Sequence, residues 1–216
     1  MPDLILIPTP LETKFARGPL EKHLPNWTIR TVGFGLVTAA ANTSRWIHQH
    51  QPERVLLIGI AGSYHEFSCP VATAARFDEV ICDGIGVGTG EHFRSAGQMG
   101  WDQWHADSSG SSIGDKIALP EVHLADLPSA GGLLSVCAAS ENIDQAVQRR
   151  TRYPNAVAED MEGFGVAVAT TLASVQLQIV RGISNLAGDR TLENWKIEEA
   201  LQAACDIAIQ LARRPW

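Results

Sequence analysis

The chain has 216 residues, 45% of them hydrophobic and 19% charged, and a formal net charge of −7. That length and balance suit one globular domain spanning residues 1–216, with a full hydrophobic core. The acidic excess argues against nucleic acid or an anionic membrane surface as the main partner.

Leu4 to Ile7 reads as an all-apolar strand, the pattern of a sheet buried on both faces. Thr9-Pro10-Leu11-Glu12 then reads as a helix start, with Thr9 as N-cap, Pro10 at the first helical position and Glu12 closing a capping box. A carboxylate just past a strand end can equally serve a ligand, and the local pattern weighs the two roles evenly. Trp27 to Val32 is a second strand, followed by Gly33-Phe34-Gly35 and a helix from about Val37 to His50. The glycine pair lacks the third glycine of a dinucleotide fingerprint, because Thr38 stands in its place, so a tight strand–helix turn is the better reading. Arg54 to Ile60 is a third apolar strand, closing in Gly59-Ile60-Ala61-Gly62-Ser63.

Val71 to Ile81 carries an amphipathic strand or two. From Asp83 to Leu119 the chain is rich in Gly and Ser, and no period of 2 or 3.6 persists. Such a stretch is either a substrate loop or a surface insertion, and the insertion is slightly favoured. Its His92 and His105 show no metal-ligand spacing. Gly131 to Val136 is a strand, and Ser140 is the candidate cap of a helix ending near Tyr153-Pro154. The cysteines Cys69, Cys82, Cys137 and Cys205 form no CxxC pair, so neither zinc nor a disulfide framework is signalled and a reducing cytoplasm is expected. No apolar run is long enough to cross a membrane, and Met1-Pro2-Asp3 lacks the basic start of a signal peptide.

The informative stretch runs from Asn155 to Arg190. A short apolar strand, Asn155 to Glu159, turns acidic at Asp160-Met161-Glu162 and enters a helix at Gly163. A buried-type strand follows, Leu177 to Ile183, and ends in Ser184-Asn185-Leu186-Ala187-Gly188-Asp189. Each unit puts polar groups at the carboxyl end of an apolar strand, where ligands bind in open α/β sheets. Arg181 lies inside the apolar strand, so its charge must be paired, and Glu12 is the candidate partner. Thr191 opens the last helix, whose Trp195, Ile197, Leu201, Ala204, Ala208 and Leu211 recur at helical spacing. Strands alternate with helices throughout, which predicts an α/β fold with a mixed, mostly parallel central sheet flanked by helices.

The Asp160-Met161-Glu162-Gly163 step followed by Arg181-Gly182-Ile183-Ser184-Asn185 resembles the purine nucleoside phosphorylase and nucleosidase superfamily. The resemblance implies that Glu162 accepts the ribose hydroxyls, Met161 packs under the sugar and Glu12 activates an attacking water. It implies that Arg181 supports the nucleophile region, that Ala61 and Gly62 form a glycine-rich turn beneath the ribose, and that Ser184 and Asn185 face the base. Members often carry serine where this chain has Ile60. No cofactor or metal is implied; a small-molecule purine nucleoside and a homo-oligomer are. Without the resemblance, Glu162 would read as a first-turn glutamate on a helix dipole and Met161 as core.

Asn185 departs from the adenine-cleaving members, which carry aspartate there. Its amide offers a donor and an acceptor together, which suits the O6 and N1–H of a 6-oxopurine. Asp189 serves either as a general acid or as a cap for the next helix, and the sequence leaves both open. The expected reaction is hydrolysis of a 6-oxopurine nucleoside extended at its 5′ position. The rivals are phosphorolysis, cleavage of an adenine nucleoside, and nucleoside binding without turnover. Phosphorolysis calls for arginines around the anion, and the turns Pro8–Glu12 and Gly59–Ser63 hold none.

Overall fold

The computed structural model describes residues 2–106, 112–122 and 129–216. In chain order the first strands are β1 (Leu4–Ile7), β2 (Thr28–Thr31), β3 (Arg54–Ser63), β4 (Ala74–Arg76) and β5 (Glu79–Asp83). Four two-residue strands follow: β6 (Gly86–Val87), β7 (Arg94–Ser95), β8 (Trp104–His105) and β9 (Ser112–Ile113). The last are β10 (Lys116–Ala118), β11 (Gly132–Val136), β12 (Ala156–Asp160) and β13 (Gln176–Leu186). The helices are α1 (Pro10–His23), α2 (Leu36–His50), α3 (Ile143–Arg152), α4 (Gly163–Leu172) and α5 (Ile197–Ala212).

Among the described residues the main sheet has nine strands, in the order β10-β5-β11-β12-β3-β1-β2, with β13 beside both β3 and β4. Strand β1 runs parallel to β2 and β3, β11 parallel to β5 and β12, and β13 parallel to β3. The pairs β12–β3, β13–β4 and β10–β5 are antiparallel. This is the mixed, mostly parallel sheet that the alternation predicts.

The all-apolar run of β1 has a direct cause. Successive strand side chains point to opposite faces. Leu4 and Leu6 pack into one cluster with Phe164 and Val166 of α4. Ile5 and Ile7 pack into a second with Ala16 and Leu20 of α1 and Ala204 and Ala208 of α5. Both faces are covered, so no position tolerates a polar side chain. At the strand's exit, Thr9 caps α1 and Glu12 closes the capping box. Gly33 and Gly35 take φ of +92° and +85°, as the tight-turn reading of the glycine pair requires.

Several expectations need correction. Strand β3 does not stop at Ile60: it continues through Ser63, because Gly62 and Ser63 find partners on β12 and β13 at once. The glycine-rich segment is therefore strand, not turn. Strand β13 likewise runs on through Leu186, with a register shift between Ile183 and Asn185. The last helix starts at Ile197; Leu192–Asn194 form a separate 3-10 turn. The cap of α3 is Asn142, which accepts from the Gln145 N–H; Ser140 is turned inward. The 84–120 stretch forms two small antiparallel ladders, β6–β7 and β8–β9, before β10 joins the main sheet beside β5. Residues 107–111 of that stretch lie outside the described ones.

Candidate active site

The carboxyl ends of β1, β3, β12 and β13 converge on one cavity. Its walls include Glu12, Ala61, Gly62, Glu159, Asp160, Met161, Glu162, Ser184 and Asn185. Leu11 and Phe34, both largely exposed, and Trp195 stand around the same cavity. Chain segments far apart in sequence thus bring seven of the expected residues together in the wall, with Arg181 directly behind it; Asp189 is not part of the wall.

Glu12 performs both roles that its sequence left open. Its Oε2 accepts the Thr9 backbone N–H at 3.0 Å and the Thr9 hydroxyl at 2.5 Å, which is the cap. Its Oε1 accepts the Ile60 N–H at 3.0 Å and remains part of the cavity wall. A carboxylate fixed from three sides keeps one orientation toward a small molecule beside it. The backbone of Ile60 makes this contact, so the apolar side chain there does not prevent it.

Arg181 is fully buried, and its partner is not Glu12. Its Nη2 forms an ion pair with Asp160 and lies 3.5 Å from Glu162 Oε2. The reason is positional. Asp160 ends β12, and its carboxylate already gathers the N-terminus of α4: Oδ2 accepts the Gly163 N–H at 2.9 Å and Oδ1 the Ser135 hydroxyl at 2.5 Å. Glu12, held by Thr9 and Ile60, acts on Arg181 through its charge. Burial alone would lower the Arg181 pKa, but the carboxylates of Asp160, Glu162 and Glu12 outweigh it and raise it. Its Nε and Nη1 have no hydrogen-bond partner among the described residues.

Glu162 stands at the N-terminus of α4 and accepts the Gly35 N–H at 3.1 Å. Burial pushes its carboxyl up to about 7; Arg181 opposes the shift and Asp160 reinforces it. Met161 precedes it in the wall and packs against the cluster of Leu134 and Val136.

The end of β13 is tightly ordered. Ser184 donates its hydroxyl to Asn185 Oδ1 at 2.8 Å. Asn185 Nδ2 faces two carbonyls, Leu186 O at 2.8 Å and Asp189 O at 3.4 Å. Both can only accept, so the amide orientation is fixed. Its two N–H groups are engaged within the loop, and Oδ1 keeps acceptor capacity for a ligand. The donor expected for O6 is therefore turned inward. The Asp189 carboxylate accepts the Thr191 N–H at 2.9 Å and the Asn194 amide at 2.8 Å, so it ties down the 3-10 turn Leu192–Asn194 and does not cap α5, which begins at Ile197. Those bonds lower its pKa, which leaves it ionised and a poor proton donor.

Sequence reasoning passed over two groups. One is Asp160, the anchor of Arg181. The other is Glu159, whose carboxylate holds Ser140, Tyr64 and Arg149. The signal for both was an acidic pair closing an apolar strand, since two adjacent buried carboxylates each need dedicated partners. No group of three or more His, Cys, Asp or Glu suited to a metal ion occurs among the described residues.

Comparisons with known proteins agree with this architecture. The phosphorylase superfamily profile matches residues 7–214. A futalosine hydrolase from Streptomyces coelicolor is 29% identical over 213 residues, covering 93% of this chain and 85% of that protein. One from Acidothermus cellulolyticus is 30% identical over 191 residues, covering 84% and 73% respectively. Among solved structures, the 5′-methylthioadenosine/S-adenosylhomocysteine nucleosidase of Neisseria meningitidis superposes with a TM-score of 0.75 at 13% identity, covering 98% of both chains. At that identity the likeness speaks for the fold. The profile match, which takes in nearly the whole sheet and every wall of the cavity, places the chain in the phosphorylase superfamily.

Proposed function

We propose that this protein hydrolyses the N-glycosidic bond of futalosine, a 6-oxopurine nucleoside extended at its 5′ position, and releases hypoxanthine. The observation that carries this reading is the pairing of two carboxylates, Glu12 and Glu162, in one cavity. Breaking the bond makes the ribose cation-like. A carboxylate near the sugar stabilises that charge, and a second one can take a proton from the attacking water.

In this reading Glu162 accepts the ribose hydroxyls, Met161 packs under the ring and Glu12 is the general base. Arg181 and Asp160 hold Glu162 in place, Ala61 and Gly62 form the floor, and Ser184 orients Asn185 toward the base. Asp189 shapes the loop. Two carboxylates facing the sugar would repel a phosphate dianion, which favours water over phosphate as nucleophile. The identity to futalosine hydrolases over most of the chain supports the substrate assignment.

The proposal includes a homo-oligomer acting in the cytoplasm. It is supported by an exposed apolar patch near the cavity and by four free cysteines. None of the described helices is long and apolar enough to cross a membrane.

Chromatography of products tests the reaction. Incubation with futalosine in phosphate-free buffer should release hypoxanthine and a free reducing sugar. Base release that requires phosphate and yields a sugar 1-phosphate would overturn hydrolysis.

A further inference from the structure

Glu159 is the one carboxylate of the cavity wall that the reaction chemistry leaves unused. It is a costly residue to place there: buried, ionisable and at the end of an apolar strand. Its surroundings consist of donors. Oε2 receives the Tyr64 hydroxyl at 2.7 Å, the Ser140 hydroxyl at 2.6 Å and Arg149 Nη1 at 3.3 Å. Among the described residues Oε1 receives only the Ser140 N–H, at 2.7 Å. Arg149 is fixed in turn by Asp83 at 3.1 Å and by the Ala138 carbonyl at 2.7 Å. With one N–H accepted, Oε1 has lone-pair capacity left.

The sheet register places this oxygen's residue with meaning. Glu159 of β12 pairs with Gly62 of β3, and Gly62 pairs on its other side with Asn185 of β13. Glu159 and Asn185 therefore lie on either side of Gly62, about 10 Å apart at two strand spacings, and all three belong to the cavity wall. A planar bicyclic base held in that cavity can reach both. Asn185 is committed as an acceptor at its end, because its N–H groups are engaged by the Leu186 and Asp189 carbonyls.

We infer that Glu159, clamped by Ser140, Tyr64 and Arg149, reads the six-membered edge of the base by accepting its N1–H, and so selects 6-oxopurines over 6-aminopurines. A 6-oxopurine carries a hydrogen on N1. Adenine carries a lone pair there, which would face the carboxylate acceptor to acceptor, with nothing to bridge them. The inference rests on the nucleosidase reading above and assigns the base specificity to a residue outside the sugar chemistry.

The test compares the wild type with Glu159→Gln, whose amide can both donate and accept. Base release is followed from futalosine and from its 6-amino counterpart, and inhibition constants are measured for hypoxanthine and adenine. The 6-oxo to 6-amino ratio of kcat/KM should fall by about tenfold or more in Glu159→Gln, the factor that one mismatched buried hydrogen bond costs. Adenine inhibition should strengthen while hypoxanthine inhibition weakens. A purely structural role would lower both substrates alike and leave the ratio unchanged, and that outcome overturns the inference. The wild type alone gives a second test that needs no folded variant. Hypoxanthine should inhibit, and 1-methylhypoxanthine, which lacks the N1 hydrogen, should inhibit about tenfold less or weaker still; equal inhibition overturns the inference. Release of no base from any purine nucleoside by the wild type, with hypoxanthine still bound in preference to its 1-methyl form, would sink the nucleosidase reading and leave base recognition by Glu159 standing.

Discussion

Glu162 is a carboxylate whose ordinary value of 4.5 is pushed to about 7 by burial. The proposed sugar chemistry needs it ionised, so the kcat/KM profile should show an acidic limb with an apparent pKa near 7. A pH-rate series across the range 5 to 9 measures this; a flat profile through 7 would remove Glu162 from the reaction. The same shift acts on stability. Between 4.5 and about 7 the folded chain holds a proton here that the unfolded chain has lost. The contribution of this group is thus fully present below 4.5, declines as pH rises through 7, and is gone above that. Glu162→Gln removes the titration while keeping an acceptor for the Gly35 N–H. It should cost about a hundredfold or more in turnover without lowering the melting temperature at pH 8, and should flatten the pH dependence of that temperature. A large loss of stability at pH 8 would mean that the Arg181 contact outweighs the desolvation cost.

The site depends on how closely two helices approach. Helix α4 begins next to Glu162, and α2 begins next to Gly35, the donor to Glu162. Gly165 in the first turn of α4 lets them meet: a Cβ there would lie 2.2 Å from the Leu36 carbonyl oxygen. Backbone cannot yield as a flexible side chain can, so Gly165→Ala must separate the helices. The expected cost is about 1–3 kcal/mol of stability, read by urea unfolding, with a loss of turnover at saturating substrate as Gly35 moves off Glu162. Unchanged stability and kinetics would show the contact to be loose. At this scale the sequence was partly legible. The strand β1 and the capping box of Thr9 and Glu12 are local patterns, and both formed as read. The partner of Arg181 was not legible, because the choice between Glu12 and Asp160 turns on which carboxylate the strand order sets beside it. Ser140 was misread for a related reason. A serine before a helix looks like a cap, but burial beside Glu159 gave it a stronger partner. The 84–120 stretch hid β10 because three residues on a sheet edge carry no period.

On the scale of the whole molecule, one exposed apolar groove adjoins the candidate site. Phe67 is 98% exposed, Ile143 63% and Val147 45%, and they border one groove with Leu186 and Ala187. An apolar patch of this kind on a chain with net charge −7 is a liability unless it is covered. Leu186 and Ala187 directly follow Asn185, and Tyr64, in the same groove, donates to Glu159. Whatever covers the groove therefore also braces both ends of the proposed base site. A second copy of the chain is the simplest cover, since a two-fold axis lets the same patch serve both subunits. The protein should sediment as a dimer at micromolar concentration. The double variant Phe67→Glu and Val147→Glu sets like charges against each other across such an axis and should sediment as a monomer. Its melting temperature should change little relative to an unassociated subunit, because both side chains are exposed in the single chain. Its kcat/KM should fall, since Tyr64 and the Ser184–Asp189 loop lose their support. A wild type that runs as a clean monomer with full activity would refute the oligomer and would leave this patch to another partner.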